Sequence, residues 1–413
     1  MSSKPSKPTQ TVFQRETEAD PVVIVSAVRT PMGAFQGALS AQTAPQLGGI
    51  ALQDALARSG VPAADVGEVL MGCVLTAGLG QSPARQAALL AGLPDSVGCT
   101  TITKACGSAM KAVMLAVDDL LLGRHAVMMA GGMESMTHAP YLLPKARGGQ
   151  RLGHGQMLDH MFLDGLEDAY SVQDRGRLMG TFAEDCATHF GFTRQEQDDW
   201  ARRSGERGRL ATQSGWFAPE LVPVTSGSGA RARTLDHDET VAQIDLDKIP
   251  RLKPVFREGG TVTAANSSCI SDGAAALVLM RDSEARRRGL SPLARVLGQA
   301  THARAPGWFT TAPVGAMQAL LAQVGWGVAD VDAWEINEAF AVVTLAAVRE
   351  LGLDEDRVNR HGGACALGHP IGASGARILV TLLGALRQHG GRRGVASLCI
   401  GGGEATAMAV ELY

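Results

Sequence analysis

The chain carries one α/β pattern twice, and this duplication constrains its fold more than any other feature of the sequence. Gly60, which ends the first helix pattern, has its counterpart in Gly325, 265 positions later. Three more pairs keep nearly the same spacing, at offsets of 265, 266 and 270: Ala64 and Ala329, Ser108 and Ser374, Glu134 and Glu404. A near-constant offset over four elements predicts two copies of one unit, stacked with pseudo-two-fold symmetry.

Within each copy, apolar strand patterns alternate with amphipathic helix patterns. Residues 21–25 form a β-branched run typical of a buried strand, and helix patterns cover residues 47–59 and 108–122. This alternation predicts an α/β fold in which helices cover a mostly parallel sheet.

A region of different character, residues 138–270, separates the two copies. It is rich in Gly, His, Arg and Asp and lacks clean periodicity, so we predict a loop domain inserted into the first copy. The predicted units are an N-terminal half (21–137 and 271–290), the inserted loop domain (138–270) and a C-terminal half (291–413). The polar residues 1–20 are predicted to form a mobile tail.

Three local predictions concern the insertion. Residues 226–230, Ser-Gly-Ser-Gly-Ala, predict a flexible loop. The helix pattern at 194–213 is polar on most faces and predicts an exposed helix. His154 and His160 lack the i,i+4 spacing of metal ligands and are predicted to lie on the surface.

Composition excludes several classes of function. A net charge of −3 and an aromatic content of 4% argue against a nucleic-acid-binding protein. No apolar stretch reaches the roughly 18 residues of a membrane helix, and the polar start lacks a signal-peptide core, so we expect no membrane partner and a cytoplasmic location. The seven cysteines include no Cys-x-x-Cys pair, which favours neither a disulfide framework nor a zinc site.

Cys106 is the sharpest local feature. In Lys104-Ala-Cys-Gly-Ser108 a strand pattern meets the first turn of a helix pattern, where unpaired backbone N–H groups would lower the pKa of a thiol and make it a nucleophile. A buried core cysteine is an equally good interpretation of this position alone.

Three further segments suggest chemistry at the ends of strands. Five glycines between residues 362 and 375 surround His369, as if the backbone were bent to hold an imidazole in a cleft, although a turn histidine fits too. Cys399 precedes three glycines whose N–H groups suit an oxyanion hole, but the pattern alone slightly favours a tight turn beside a core cysteine. Asn337 follows a strand where α/β sheets place ligand groups. The pattern alone favours a helix N-cap there.

Seven segments, in order, resemble the thiolase family: SAVRTPMGAF, GQSPARQAAL, KACGSAMKAV, AGGMESM, NEAFA, GGACALGHPIGASGAR and CIGGGEATA. The resemblance runs from about residue 21 to 413, and the last two segments are highly specific. It implies the duplicated thiolase fold and acyl transfer between thioesters, with coenzyme A and acyl-CoA as substrates and no metal or redox cofactor. It also implies a homo-oligomer, either a tetramer or a dimer.

The resemblance also implies catalytic roles, position by position. Cys106 corresponds to the nucleophile that accepts the acyl group, and His369 to the base that activates it. Cys399 corresponds to the acid and base acting on the α-carbon of the second substrate. Asn337 would position a water molecule of one oxyanion hole, and the N–H groups of Cys106 and Gly401 would form another.

The implied substrate-binding residues depart from the family pattern in two places. Ser268 matches a serine on the pantetheine arm of coenzyme A, Met179 matches a methionine of the acyl pocket, and Leu178 and Phe340 are their neighbours. Leu178 stands where short-chain members often carry His, and Cys269 follows Ser268 where Gly is usual. Two basic residues, Arg251 and Lys253, are candidates for contacting the nucleotide of coenzyme A.

The resemblance leaves four functions to compare. A short-chain acetyl-CoA acetyltransferase is favoured, and a degradative 3-oxoacyl-CoA thiolase of broader chain length shares every catalytic residue with it. A ketoacyl synthase acting on carrier proteins would usually use two histidines, whereas Cys399 occupies the second position here. A non-catalytic thiolase-fold acyl or lipid binding protein would be expected to lack one of the three central residues.

Overall fold

The computed structural model describes residues 12–227 and 232–413, and a ten-stranded mixed sheet forms its core. The strands of the described residues are β1 (Val22–Arg29), β2 (Gly33–Ala34), β3 (Glu68–Gly72), β4 (Gly98–Ile102), β5 (Val127–Ser135), β6 (Tyr141–Leu142), β7 (Leu158–Asp159), β8 (Val224–Ser226), β9 (Arg233–Leu235), β10 (Ser271–Arg281), β11 (Ala294–Ala303), β12 (Ala333–Ile336), β13 (Arg393–Ile400) and β14 (Glu404–Leu412). Two small strand pairs, β6–β7 and β8–β9, lie in the inserted region outside this sheet.

The α-helices of the same residues are α1 (Val12–Ala19), α2 (Ala44–Ser59), α3 (Pro83–Leu90), α4 (Ser108–Leu121), α5 (Met179–Phe190), α6 (Arg194–Gln213), α7 (Glu239–Gln243), α8 (Asp282–Arg287), α9 (Ala312–Val324), α10 (Ala341–Leu351), α11 (Ala364–Leu367) and α12 (Ser374–Gln388). None of the helices in this part of the chain is long and apolar enough to cross a membrane.

The large sheet repeats one strand order on either side of its centre. From the centre outward the order is β1-β10-β5-β3-β4 in the first half and β11-β14-β13-β12 in the second, while β2 pairs with β10. The halves join where β1 and β11 pair in antiparallel fashion, at Val23 with Arg295 and Ile24 with Ala294. The predicted duplication is confirmed by this order.

The prediction of a mostly parallel sheet is wrong. β1, β3, β4 and β5 share one direction, as alternating strands and helices require, but β10 lies antiparallel between β1 and β5. In the second half β14 takes the same place between β11 and β13. A tight turn joins β13 to β14, and a hairpin of that kind makes antiparallel neighbours. The sheet is therefore mixed.

Helices form a central layer and two outer layers. The central pair, α4 and α12, packs with strand residues from both halves in one apolar cluster. Outer helices α2 and α3 cover the first half, and α9 and α10 cover the second. The central helices approach closely at Gly375, where a Cβ atom would lie 2.3 Å from the backbone nitrogen of Met110.

The structure differs from the predicted mobile tail at residues 1–20. Residues 12–19 form α1, Phe13 packs against the central cluster, and Asp20 accepts hydrogen bonds from Ser283 and Arg281. These contacts offset the ordering entropy that a free tail would keep. Residues 1–11 lie outside the described residues, as do residues 228–231, which contain most of the predicted flexible loop.

Two predictions about the insertion are corrected. Helix α6 has the predicted bounds, yet one face is buried because Trp200 and Ser204 donate hydrogen bonds to the buried carboxylate of Glu338. Polar residues can face the interior when each finds a partner, and periodicity of apolar residues does not reveal such a face. His160 is also buried rather than exposed, since its ring bonds to Asp164 and to the N–H of Ala77.

We predict that Gly375→Ala destabilises the fold by about 1–3 kcal/mol, because the added methyl group must push α12 away from α4. The small gain in helix propensity of alanine does not offset such a clash. Chemical denaturation of both proteins would measure the difference in free energy of unfolding. Gly148→Ala is the matched control, since a Cβ there meets nothing within 4 Å; equal stability of all three proteins would contradict the prediction.

Candidate active site

A tight turn places Cys106 between β4 and α4. Ala105 has a φ of +42°, a conformation unusual for a side-chain-bearing residue. The Ser108 hydroxyl accepts a hydrogen bond from the N–H of Lys104 at 2.8 Å and donates to the carbonyl of Ala105 at 2.7 Å. Gly107 packs on the end of β13, because a Cβ there would lie 2.3 Å from Ile400. The turn therefore presents Cys106 at the start of α4, as predicted.

The electrostatics of Cys106 differ from the prediction of a lowered pKa. Burial raises the pKa of the thiol to about 11, although its sulfur accepts hydrogen bonds from the N–H groups of Gly401 and of Cys106 itself. Removing a thiolate from water costs more than these two hydrogen bonds return. Cys106 is therefore a neutral thiol in the resting structure.

Gly401 belongs to a turn of three glycines between β13 and β14. Gly402 and Gly403 have φ values of 94° and 85°, which residues with side chains rarely adopt. Next to Gly403 the carbonyl of Arg304 lies only 2.3 Å from where a Cβ would be. This turn brings the N–H of Gly401 to the sulfur of Cys106.

His369 lies in the loop between α11 and α12, with its ring buried and neutral. The Ser374 hydroxyl donates to the carbonyl of Pro370 at 2.9 Å, so its oxygen accepts the Nδ1–H of His369. Nε2 then carries a lone pair, and it is buried with no hydrogen-bond partner. Burial and the nearby Arg377 lower the pKa of His369 to about 3. The ring is set up as a proton acceptor at Nε2.

Asn337 is fully buried at the end of β12, facing His369. Its Nδ2 lies 3.5 Å from Nδ1 of His369, and its Oδ1 accepts a hydrogen bond of 3.4 Å from Arg377. Arg377 in turn lies 3.7 Å from the carboxylate of Glu335, whose pKa burial raises to about 8. The N-cap interpretation of Asn337 is wrong, because α10 begins at Ala341 with Phe340 as its N-cap.

Cys399 is buried on β13, two residues before Gly401. It packs in a cluster with Phe182, Phe309 and Phe340. Burial raises its pKa well above the usual value, and Cys106 lies close enough to contribute to that shift. The two thiols therefore lie close to each other.

A cavity of about 590 Å³ reaches His369. Ser268, Leu178, Met179 and Phe340 line it together with His369, and no Asp, Glu, Lys or Arg side chain lies among its lining residues. Cys106 packs against the apolar cluster that contains Ile371 and Met136 of the same wall. Such a lining suits a long, uncharged ligand arm whose reactive end reaches the thiol.

The nine residues of the sequence analysis thus lie around one site. The two basic candidates do not: Arg251 and Lys253 are exposed and are not lining residues of the cavity. In the described part of the chain, no group of three or more His, Cys, Asp or Glu side chains is arranged to hold a metal ion.

Several residues that shape the site were missed. Ser374 could have been found, since a serine opens a helix five residues after His369. Glu338 accepts from Trp200, Ser204, Asn359 and the N–H of Cys365, and so fixes the residue next to Asn337. Tyr170 donates to the carbonyl of Gly401 at 3.3 Å. No local pattern signals these last two contacts, because their partners are distant in sequence.

Comparison with known proteins places this arrangement in context. Residues 22–283 match the model of the thiolase N-terminal domain, and residues 290–412 match that of the thiolase C-terminal domain. Acetyl-CoA acetyltransferase 1 of Arabidopsis thaliana is 51% identical over 393 residues, 94% of each chain. The crystal structure of Bacillus anthracis acetyl-CoA acetyltransferase aligns with a TM-score of 0.92 and 41% identity over 95% of this chain and 99% of that one. The structure of Acat5 thiolase from Ascaris suum, in complex with coenzyme A, aligns with a TM-score of 0.89 and 41% identity. The alignment covers 95% of this chain and 100% of that one.

We predict that alkylation of Cys106 by iodoacetamide rises about tenfold per pH unit from pH 7 to 10, because only the thiolate reacts and the pKa lies near 11. The rate is measured by mass spectrometry of the peptide that contains Cys106. A rate that levels off below pH 8 would contradict the prediction, since it would mean that the site holds a thiolate at neutral pH.

Proposed function

The chain belongs to the thiolase family, and we propose that it is an acetyl-CoA C-acetyltransferase. It joins two molecules of acetyl-CoA into acetoacetyl-CoA and free coenzyme A through an acetyl group on Cys106, and it catalyses the reverse cleavage. The observation that carries this proposal is a neutral cavity lined by His369, whose wall residues Met136 and Ile371 belong to the cluster that packs against Cys106. The N–H of Gly401 lies near the sulfur of Cys106.

In the first half-reaction, Cys106 takes the acetyl group. His369 accepts the thiol proton at Nε2 as the sulfur attacks the thioester carbonyl, so that no free thiolate has to be maintained in the buried site. The N–H groups of Cys106 and Gly401 stabilise the negative oxygen of the tetrahedral intermediate. The C–S bond to coenzyme A then breaks, and the leaving thiolate takes a proton from the Cys399 thiol, which leaves Cys399 as a thiolate and His369 protonated at Nε2. One thioester replaces another, so the step is nearly balanced.

In the second half-reaction, a new carbon–carbon bond forms. The Cys399 thiolate removes an α-proton from the second acetyl-CoA, and the enolate oxygen is stabilised by the Nε2–H of His369 and by a water molecule positioned by Asn337. The enolate carbon attacks the acetyl carbonyl on Cys106, the C–S bond breaks, and the Cys106 thiolate takes the proton from His369, so that all three residues return to their neutral forms. The 3.5 Å separation of the Asn337 amide and the His369 ring supports this shared role.

Substrate binding follows from the lining of the cavity. Ser268 and the residues around it supply a polar edge for the amide-containing pantetheine arm, and Met179, Leu178 and Phe340 surround the acyl end. Coenzyme A and acyl-CoA act as substrates here rather than as resident cofactors. The cytoplasmic location and the homo-oligomeric state stay predictions.

A degradative 3-oxoacyl-CoA thiolase of broader chain length is the second candidate. Leu178 favours it, because an uncharged leucine stands where short-chain members often carry histidine. The catalytic residues are the same, so only the range of substrates separates the two functions.

We predict that thiolysis of 3-oxoacyl-CoA substrates of four to sixteen carbons is sharply optimal at acetoacetyl-CoA, because Met179, Phe340 and the aromatic rings around Cys399 close the acyl end. Loss of substrate absorbance in the presence of free coenzyme A measures the profile. A flat or long-chain profile would favour the degradative thiolase, and turnover of none of them would contradict both functions.

We predict that Cys106→Ser abolishes formation of the acetyl-enzyme, because a serine hydroxyl is a far weaker acid than a thiol and does not give its proton to His369. Cys399→Ala, in contrast, still acetylates at Cys106 but fails to condense. Mass spectrometry of the intact protein after mixing with acetyl-CoA detects the first step, and acetoacetyl-CoA production the second. Cys186→Ala, in the same buried cluster as Cys399, is the matched control. Condensation by Cys399→Ala at the wild-type rate would rule out its role as base.

A further inference from the structure

The turn of three glycines has little backbone stiffness of its own, yet the N–H of Gly401 must face one sulfur atom. Glycine loses more conformational freedom on ordering than other residues, so a run of three needs external restraints. The structure supplies contacts from three other segments. The carbonyl of Gly403 accepts from the N–H of Arg304 at 2.8 Å, and Glu404, directly after the turn, forms an ion pair with Lys104.

Tyr170 supplies the third contact, which involves both of the first two glycines. Its hydroxyl donates to the carbonyl of Gly401 at 3.3 Å. Its ring covers Gly402, where a Cβ would lie 2.6 Å from a ring carbon. The ring therefore packs against the turn from the side of the inserted region. Even so, 60% of the residue is exposed to solvent.

The segment that carries Tyr170 is itself ordered, so the contact is preformed. Asp168 is 3% exposed, and its carboxylate accepts the N–H groups of Tyr170 and Ser171 at 3.1 and 3.3 Å. The backbone of Asp168 pairs with Arg177 at 2.9 Å and with Gly176 at 2.8 Å. Tyr170 thus approaches the turn from a short closed loop and not from a free strand of chain.

We propose that Tyr170 is a positioning residue: it restrains the turn of Gly401 and Gly402 so that the Gly401 N–H points at the sulfur of Cys106. This rests on the proposed function, in which that N–H stabilises the negative oxygen of the tetrahedral intermediate; the same N–H lowers the pKa of the Cys106 thiol. Tyr170 touches no reacting atom, so its effect passes through the turn. The ring does most of the restraining and the hydroxyl adds one weak hydrogen bond.

The test separates the ring from the hydroxyl. Tyr170→Ala removes both, and we expect alkylation of Cys106 at pH 8 and the rate of acetylation by acetyl-CoA each to fall about tenfold with little change in KM. Tyr170→Phe keeps the ring, and we expect a fall of about threefold or less. In an alkylation profile over pH 7–11, the curve of Tyr170→Ala should move to higher pH. The titratable groups that influence the Cys106 sulfur include Glu134 on β5, Cys399 on β13 and Tyr170 itself.

Val172→Ala is the matched control, since this side chain lies in the same loop and is 96% exposed. Thermal unfolding of each variant confirms that it is folded. Wild-type alkylation and acetylation rates in Tyr170→Ala, or equal losses in Val172→Ala, would overturn the proposal. If the wild-type protein cleaves no 3-oxoacyl-CoA, the proposed function fails, but the alkylation profile still tests the role of Tyr170.

Discussion

The site depends on one close approach between the two halves, at the carbonyl of Gly372. A Cβ on Gly132 would lie 2.1 Å from that oxygen, and a Cβ on Gly72 would lie 2.6 Å from it. The loop that carries His369 can therefore dock on the first half only where no side chain intervenes. Glu134 then holds the docked loop, because its buried carboxylate accepts the N–H groups of Gly372, Val74 and Leu75 at 2.8, 3.1 and 3.2 Å.

Burial keeps the reacting groups neutral until a substrate arrives. It raises the pKa of the Cys106 thiol and lowers that of the His369 imidazole, so these two residues do not form a thiolate–imidazolium pair in the resting structure. Reactivity instead depends on where the hydrogen-bond donors and the lone pair of His369 are placed. Two amide N–H groups and the unpartnered Nε2 are already oriented, so little reorganisation accompanies the charge that develops during acyl transfer.

Local patterns predicted the features that a few neighbouring residues determine. The place of Cys106 between a strand and a helix, the bounds of α6 and the duplication all follow from spacing within the sequence. The direction of β10 relative to its neighbours could not be predicted from local spacing, because its partners β1 and β5 lie far away along the chain. The prediction of a lowered pKa for Cys106 was wrong for a similar reason. The N–H groups at the helix start, which lower the pKa, can be read from the local sequence, but the burial that outweighs them arises only when the two halves assemble. Trp200 donates to Glu338, and Tyr170 to Gly401, each across more than 100 residues of sequence, and periodicity cannot reveal such contacts.

The inserted region breaks the symmetry of the framework. The inserted region interrupts the first copy, yet it also contacts the second. Trp200 and Ser204 donate hydrogen bonds to Glu338, and Tyr170 covers the turn at Gly401. Two equivalent units related by a two-fold axis would form two equivalent clefts. Because the inserted region also contacts the second half, it lies over one of these clefts and makes the two unequal. Specialisation of a duplicated protein can therefore arise from what is added to one copy as much as from divergence between the two.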